Sequence, residues 1–229
     1  PAPSRSPVVP FFILPKARDV FMHNGYCRHT KENVGIPTGD VREMATFEEF
    51  YEGFKKQFKY LLSMASERNN VELIAQRALF PDPFRSALMK DGVKDGKDLL
   101  NKRFAMENCS CLGAVGGVNT GDALSAVKEL IYDKKKYTMA QLLRALDADW
   151  EGYEEMRQDF IRAPKYGNDL DGPDAMVAEV YRLFAESCAE NPTAYGGHVT
   201  PNAISISAHQ PGGACTRATP HRRQGGESP

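Results

Sequence analysis

The stretch Cys109–Val118 constrains this chain more than any other. All of it is small or apolar, and it holds Gly113, Gly116 and Gly117. Such a run reads as a buried strand entering a tight turn, where missing side chains let backbones approach closely. Helix follows at once: Ala123, Leu124, Val127, Leu130 and Ile131 form an apolar face, and Asp122 is placed to cap it.

The rest is mostly helix. The apolar residues Ile13, Leu14, Ala17, Val20 and Phe21 fall at helical spacing, which predicts a helix over Phe11–His23, stopped by Asn24-Gly25. Thr46 and Glu49 have capping-box spacing and open a stripe of Phe47, Phe50, Tyr51, Phe54, Phe58 and Leu62. That helix continues through Val71–Leu79 to Pro81 and Pro83, with a short helix expected over Phe84–Met89. Thr138 and Gln141 offer a second capping box, leading Met139–Leu146. Trp150–Ile161 is amphipathic, and Pro173 suits the first turn of a helix that buries Met176, Val177, Val180, Leu183 and Phe184. Alternation of Ile204 and Ile206 with Ser205 and Ser207 predicts a strand over Ala203–Ala208. Residues 1–10, with four prolines, read as an irregular arm, and the tail from Gln210 as loop.

Composition narrows the function classes. A formal net charge of -1 implies no basic face, so nucleic acid is not an expected partner. No apolar run approaches the ~20 residues of a membrane span. The five cysteines are odd in number and scattered, which argues for a reducing compartment and inert thiols rather than a disulfide framework. Cys109-Ser110-Cys111 lacks the spacing and second pair of a zinc knuckle, so no metal ligand is assigned.

Three segments, in this order and spacing, carry a resemblance. They are GGVNTGDALSAVKELIYDKKKYTMAQLLRALDADWEGYEEMRQ (116–158), APKYGND (163–169) and ISISAHQPGGACTRATP (204–220), with weaker support from TGD (38–40) and FPDPFRSALM (80–89). Together they resemble the glycyl radical enzymes of the pyruvate formate-lyase type. The resemblance implies an α/β fold: part of a ten-stranded barrel over 11–229, with many surrounding helices. Family members bring a cysteine loop, Gly-Cys-x-Glu, and a glycyl radical loop, Arg-Val-x-Gly, together inside that barrel. Neither motif occurs in this sequence. The chain is therefore expected to be an internal fragment with one loop missing on each side, to contain no catalytic residue and bind no cofactor, and to be inactive alone. Half a barrel exposes unpaired strand edges and an apolar inner face, so poor stability is expected as well.

For the parent, the resemblance implies anaerobic, cytoplasmic radical cleavage or formation of a C–C or C–X bond on a small organic substrate. It implies a glycyl radical installed by an S-adenosylmethionine iron–sulfur activase, and a homodimer. The expected reaction is a lyase, arylacetate decarboxylase-like or fumarate-adding. Formate acetyltransfer and diol or choline cleavage are alternatives, as is a catalytically empty scaffold or interaction piece. Two residues are candidates for substrate binding. His23 stands in a turn where the decarboxylase branch can contact a phenol; it also suits a helix C-terminus. Asn119 lies where a strand passes into a helix, the usual place for site residues in an α/β barrel. His209 reads as structural.

Overall fold

The computed structural model describes residues 10–89, 91–98, 110–194, 196–203, 216 and 218–220. The arm up to residue 9, the alternation over 204–208, His209, Cys109, Cys215 and the end of the tail lie outside the described residues.

Three parallel strands form the sheet: β1 (Phe11–Ile13), β4 (Cys111–Val115) and β5 (Thr200–Ala203), in that spatial order. β4 is central, pairing Phe11 with Gly113 on one side and Thr200 with Cys111 on the other. β1 and β5 are therefore edges within the described residues, and Phe11 is 45% exposed on the face away from the helices. The helix expected over Phe11–His23 thus needs correction. Its first three residues are β1, and α1 begins at Leu14 and ends at Met22. Phe11-Phe12-Ile13 is too short an apolar run for periodicity to separate strand from helix, and its partner strand lies far along the chain.

A short antiparallel pair, β2 (Tyr26–Cys27) and β3 (Glu32–Asn33), follows α1. Asn24 and Gly25 take positive φ at the end of α1, as their residue types imply. Next comes α2 (Phe47–Leu79), opened by the complete Thr46/Glu49 capping box. Its 33 residues make it about 50 Å long. Then come α3 (Pro83–Leu88) and α4 (Gly92–Asp95). After β4, α5 (Gly117–Val127) runs on into a π-helical turn (Lys128–Asp133). α6 (Met139–Asp147), behind the complete Thr138/Gln141 box, α7 (Glu154–Arg162) and α8 (Asp171–Ala189) complete the helical layer.

The core lies between sheet and helices. Phe12 of β1 meets Phe58 of α2 edge-on at 5.2 Å and stacks near Phe184 of α8 at 6.4 Å. Phe21 of α1 meets Phe50 at 4.9 Å and Phe54 at 6.0 Å. Such pairs contribute about 0.5–1.5 kcal/mol each beyond area burial. One α2 residue breaks the apolar stripe: Gln57 is fully buried, and neither amide atom has a hydrogen-bond partner among the described residues. An unmade bond in the core costs more than a made one returns. Gln57→Leu is expected to raise the urea midpoint, by about 1 kcal/mol of stability. A midpoint that falls instead would show that the amide has a use.

About two-thirds of the way along, α2 is fixed by two asparagines to the start of β4 and to the loop before β5. The Asn69 amide donates to the Ser110 hydroxyl at the entrance to β4. Asn70 donates to the Pro192 carbonyl at 3.0 Å and accepts the Ala194 N–H at 2.9 Å. Leu73 is the last buried residue of this helix. Beyond it, Ile74, Leu79, Phe80, Phe84, Leu88 and Val93 are all more than half exposed.

Candidate functional site

One candidate region is the junction between β4 and α5. Gly116 caps α5 in the left-handed conformation, φ 75°, and a Cβ there would stand 2.7 Å from the Pro15 ring. Glycine is required on both counts. The contact also places the first turns of α1 and α5 side by side at the C-terminal end of the strands. That is the end at which α/β barrels build their sites. Thr120 returns its hydroxyl to the Gly116 carbonyl at 2.9 Å. Asn119, half-buried in the first turn of α5, sits at this rim.

Asp122 does not cap α5, as its sequence position suggested. The helix starts five residues earlier, because the Gly116 turn already reverses the chain. Asp122 is buried within α5 and accepts the Tyr166 N–H at 2.8 Å. The APKYGND segment is thus a tie among three helices. Lys165 donates to the Phe160 and Ala163 carbonyls at the end of α7, at 2.9 and 2.8 Å. Tyr166 reaches α5, and the Gly167 N–H donates to Asp174 on α8 at 2.9 Å.

The second region is the far end of α1. His23 is the C-cap of that helix. Its Nδ1 donates to the Asp19 carbonyl at 2.8 Å, and its Nε2 lies 3.2 Å from the Asp147 carboxylate. Arg28 bridges the same groups, donating to Asp19 at 2.5 Å, to Asp147 at 2.6 Å and to the Leu146 carbonyl at 3.4 Å. Asp19 is 3% exposed. Burial by itself would raise its carboxyl. The charges of Arg28, Lys16 and His23, with the Arg28 hydrogen bond, outweigh that and hold it below the usual carboxylate range. Sequence reasoning did not find Asp19 or Arg28. Asp19 at i−4 from His23 was the one local signal; nothing local connects either to Asp147.

His23 and Asn119 are not brought together. Pro15, beside Gly116, is eight residues before His23, a rise of about 12 Å along α1. A small molecule at the rim does not span that length. His23 instead lines an open cleft of about 520 Å³ between the end of α1, the Asp40–Arg42 loop and α6. The Asn24 carboxamide holds this loop through the Thr38 and Gly39 N–H groups at 2.8 and 3.1 Å, which gives the TGD motif a structural role. Arg42 pairs with Asp40, whose carboxyl is pulled down to about 2, chiefly by the Arg42 side-chain hydrogen bond.

Comparison with known proteins agrees with this architecture. The family described as pyruvate formate lyase-like matches residues 7–213. The chain is 34% identical over 215 residues to trans-4-hydroxy-L-proline dehydratase of Clostridioides difficile, covering 93% of this chain and 27% of that protein. It is 26% identical over 240 residues to the 4-hydroxyphenylacetate decarboxylase glycyl radical subunit of C. difficile strain 630, covering 95% of this chain and 26% of the relative. The glycerol-bound B12-independent glycerol dehydratase of Clostridium butyricum superposes with a TM-score of 0.88 at 29% identity, over 95% of this chain and 27% of that structure. The chain thus spans about a quarter of the length of the relatives it matches. Its sheet, its helical layer and its sequence agree on one assignment: the chain belongs to the pyruvate formate lyase-like family of glycyl radical enzymes, and its α/β fold is part of their barrel.

Proposed function

We propose that the chain forms a wall segment of a glycyl radical lyase that expels a leaving group, water in the favoured case, from a small hydroxylated substrate. The carrying observation is the 34% identity to a dehydratase across 93% of the chain, against 26% to the arylacetate decarboxylase subunit. The contact with a phenol that the decarboxylase branch would ask of His23 competes with the engagement of its ring by Asp19 and Asp147. The glycyl radical, when present in the parent, supplies hydrogen-atom abstraction through a cysteine. Neither residue's motif is in this sequence, so no step is assigned to a residue here. What this segment contributes is position. The Gly116 turn and the APKYGND tie support the first turn of α5, and in this reading Asn119, half-buried there, is the residue that hydrogen-bonds a substrate hydroxyl. In the same reading the parent is a cytoplasmic homodimer that works without oxygen and is activated by an iron–sulfur partner.

The test uses the longer polypeptide carrying this segment together with both loops. After treatment with the activase it is expected to show an oxygen-sensitive doublet in electron spin resonance and to dehydrate a hydroxylated substrate such as trans-4-hydroxy-L-proline or glycerol. Asn119→Ala is expected to lower kcat/KM at least tenfold, about 1.4 kcal/mol, with the doublet intact. Decarboxylation of 4-hydroxyphenylacetate with no dehydration would overturn the reading. The 229-residue chain alone is expected to give no doublet.

A further inference from the structure

The cleft at the C-terminal end of α1 carries an unbalanced charge pattern. Ala140, Leu143, Arg144 and Asp147 face it from α6 at helical spacing. Met22 and Val41, both buried, line it from the other side. Its two carboxylates are neutralised within the wall: Asp40 by Arg42 at 2.5 Å and Asp147 by Arg28 at 2.6 Å. Arg144 differs. Its guanidinium makes no hydrogen bond, ion pair or ring contact among the described residues, and it stands one helical residue from the apolar side chain of Leu143.

We infer that this cleft binds a small amphipathic monocarboxylate, with its carboxylate on the Arg144 guanidinium and its hydrocarbon along the half-buried Ala140 and Leu143. The volume, about 520 Å³, suits a small ligand. A guanidinium presents a planar fork of donors that matches a carboxylate in two parallel hydrogen bonds. Inorganic phosphate offers the guanidinium a charge but no hydrocarbon, so it forgoes the apolar contact that a monocarboxylate with a chain makes. An alcohol of the same length keeps the apolar contact and loses the charged one. An amine is repelled by Arg144. His23 enters as a wall residue held in place by Asp19 and Asp147, and the Asn24 clamp on the 38–40 loop fixes the opposite wall.

The experiment is saturation-transfer difference NMR on the chain with hexanoate, 1-hexanol, hexylamine and inorganic phosphate. Hexanoate is expected to bind at least tenfold tighter than hexanol or hexylamine, and phosphate at equal concentration is expected not to displace it. Arg144→Gln is expected to weaken hexanoate at least tenfold and leave hexanol unchanged, while Arg144→Lys restores part of the loss. Arg144 is exposed, so both variants are expected to keep the parental circular dichroism spectrum. Leu143→Asp is expected to weaken hexanoate and hexanol together. Absence of hexanoate binding, equal binding by the Arg144→Gln chain, or displacement by phosphate would each overturn the assignment.

Discussion

Replacing Arg28 with methionine is expected to cost about 3 kcal/mol at neutral pH, read from a urea titration followed through the sole tryptophan. Trp150 is 1% exposed and packs 5.7 Å from Phe160, so its emission reports the core. The cost arises because Asp19 stays buried when its strongest partner leaves. Breaking a buried pair from one side costs about 3–5 kcal/mol. Lys16, still 3.1 Å away, keeps the loss near the lower end. The pH dependence gives a second readout. In the native chain the Asp19 carboxyl lies below its unfolded value despite burial, because Arg28, Lys16 and His23 favour the anion. Its contribution is therefore present above the unfolded carboxylate range, about 3.9, and is lost as pH falls through the folded value. Without Arg28 the burial effect gains weight and the carboxyl rises. The deficit relative to the native chain then shrinks as pH falls through the carboxylate range. A constant difference between the two chains from about pH 3 to 7 would show that the ion pair carries no stability.

Gly121→Ala is expected to be comparably damaging, at about 2 kcal/mol. Alanine in a helix interior normally gains about 1 kcal/mol over glycine. Here α5 and α8 approach so closely that the added Cβ would stand 2.4 Å from a Val177 methyl and 2.9 Å from the Val177 Cα. The methyl can rotate away, but the backbone of α8 cannot, and overpacking of this kind costs about 1–3 kcal/mol or more. The clash outweighs the propensity gain. Val177→Ala in the same chain is expected to recover only part of the loss, since the collision with the α8 main chain remains, and the two changes should be non-additive. A Gly121→Ala chain as stable as the parent would mean that the two helices sit farther apart than these distances allow.

What the sequence disclosed follows the range of the interactions. Both capping boxes are complete, because each closes within four residues and needs no tertiary partner. The Gly116 turn was legible for the same reason. β1 reads as the start of a helix because its only evidence as a strand is pairing with β4, about a hundred residues on. Asp122 looks like a cap because nothing nearby announces Tyr166, 44 positions away. The APKYGND segment is recognisable as a motif, yet its work, joining α5, α7 and α8, is visible only in three dimensions. The same limit explains the two site candidates. His23 and Asn119 each have sound local reasons, and only the placement of α1 shows that they serve different ends of one helix. Asp19 and Arg144 have only a helical spacing to neighbours on their own helices, and Arg28 has no local signal. Their meaning lies in what they pair with, or do not.

The long helix α2 resembles a beam clamped about two-thirds of the way along. The Asn69 and Asn70 amides are the clamp, one bearing on the start of β4 and the other on the loop before β5. The six residues of the helix past Leu73 are overhang, on which Ile74 and Leu79 are exposed. A load on such an overhang is felt as torque at the clamp, and the clamp touches the central strand that leads directly to the Gly116 turn. The tip of α2 is therefore joined, through Asn69, Ser110 and β4, to the Gly116 turn.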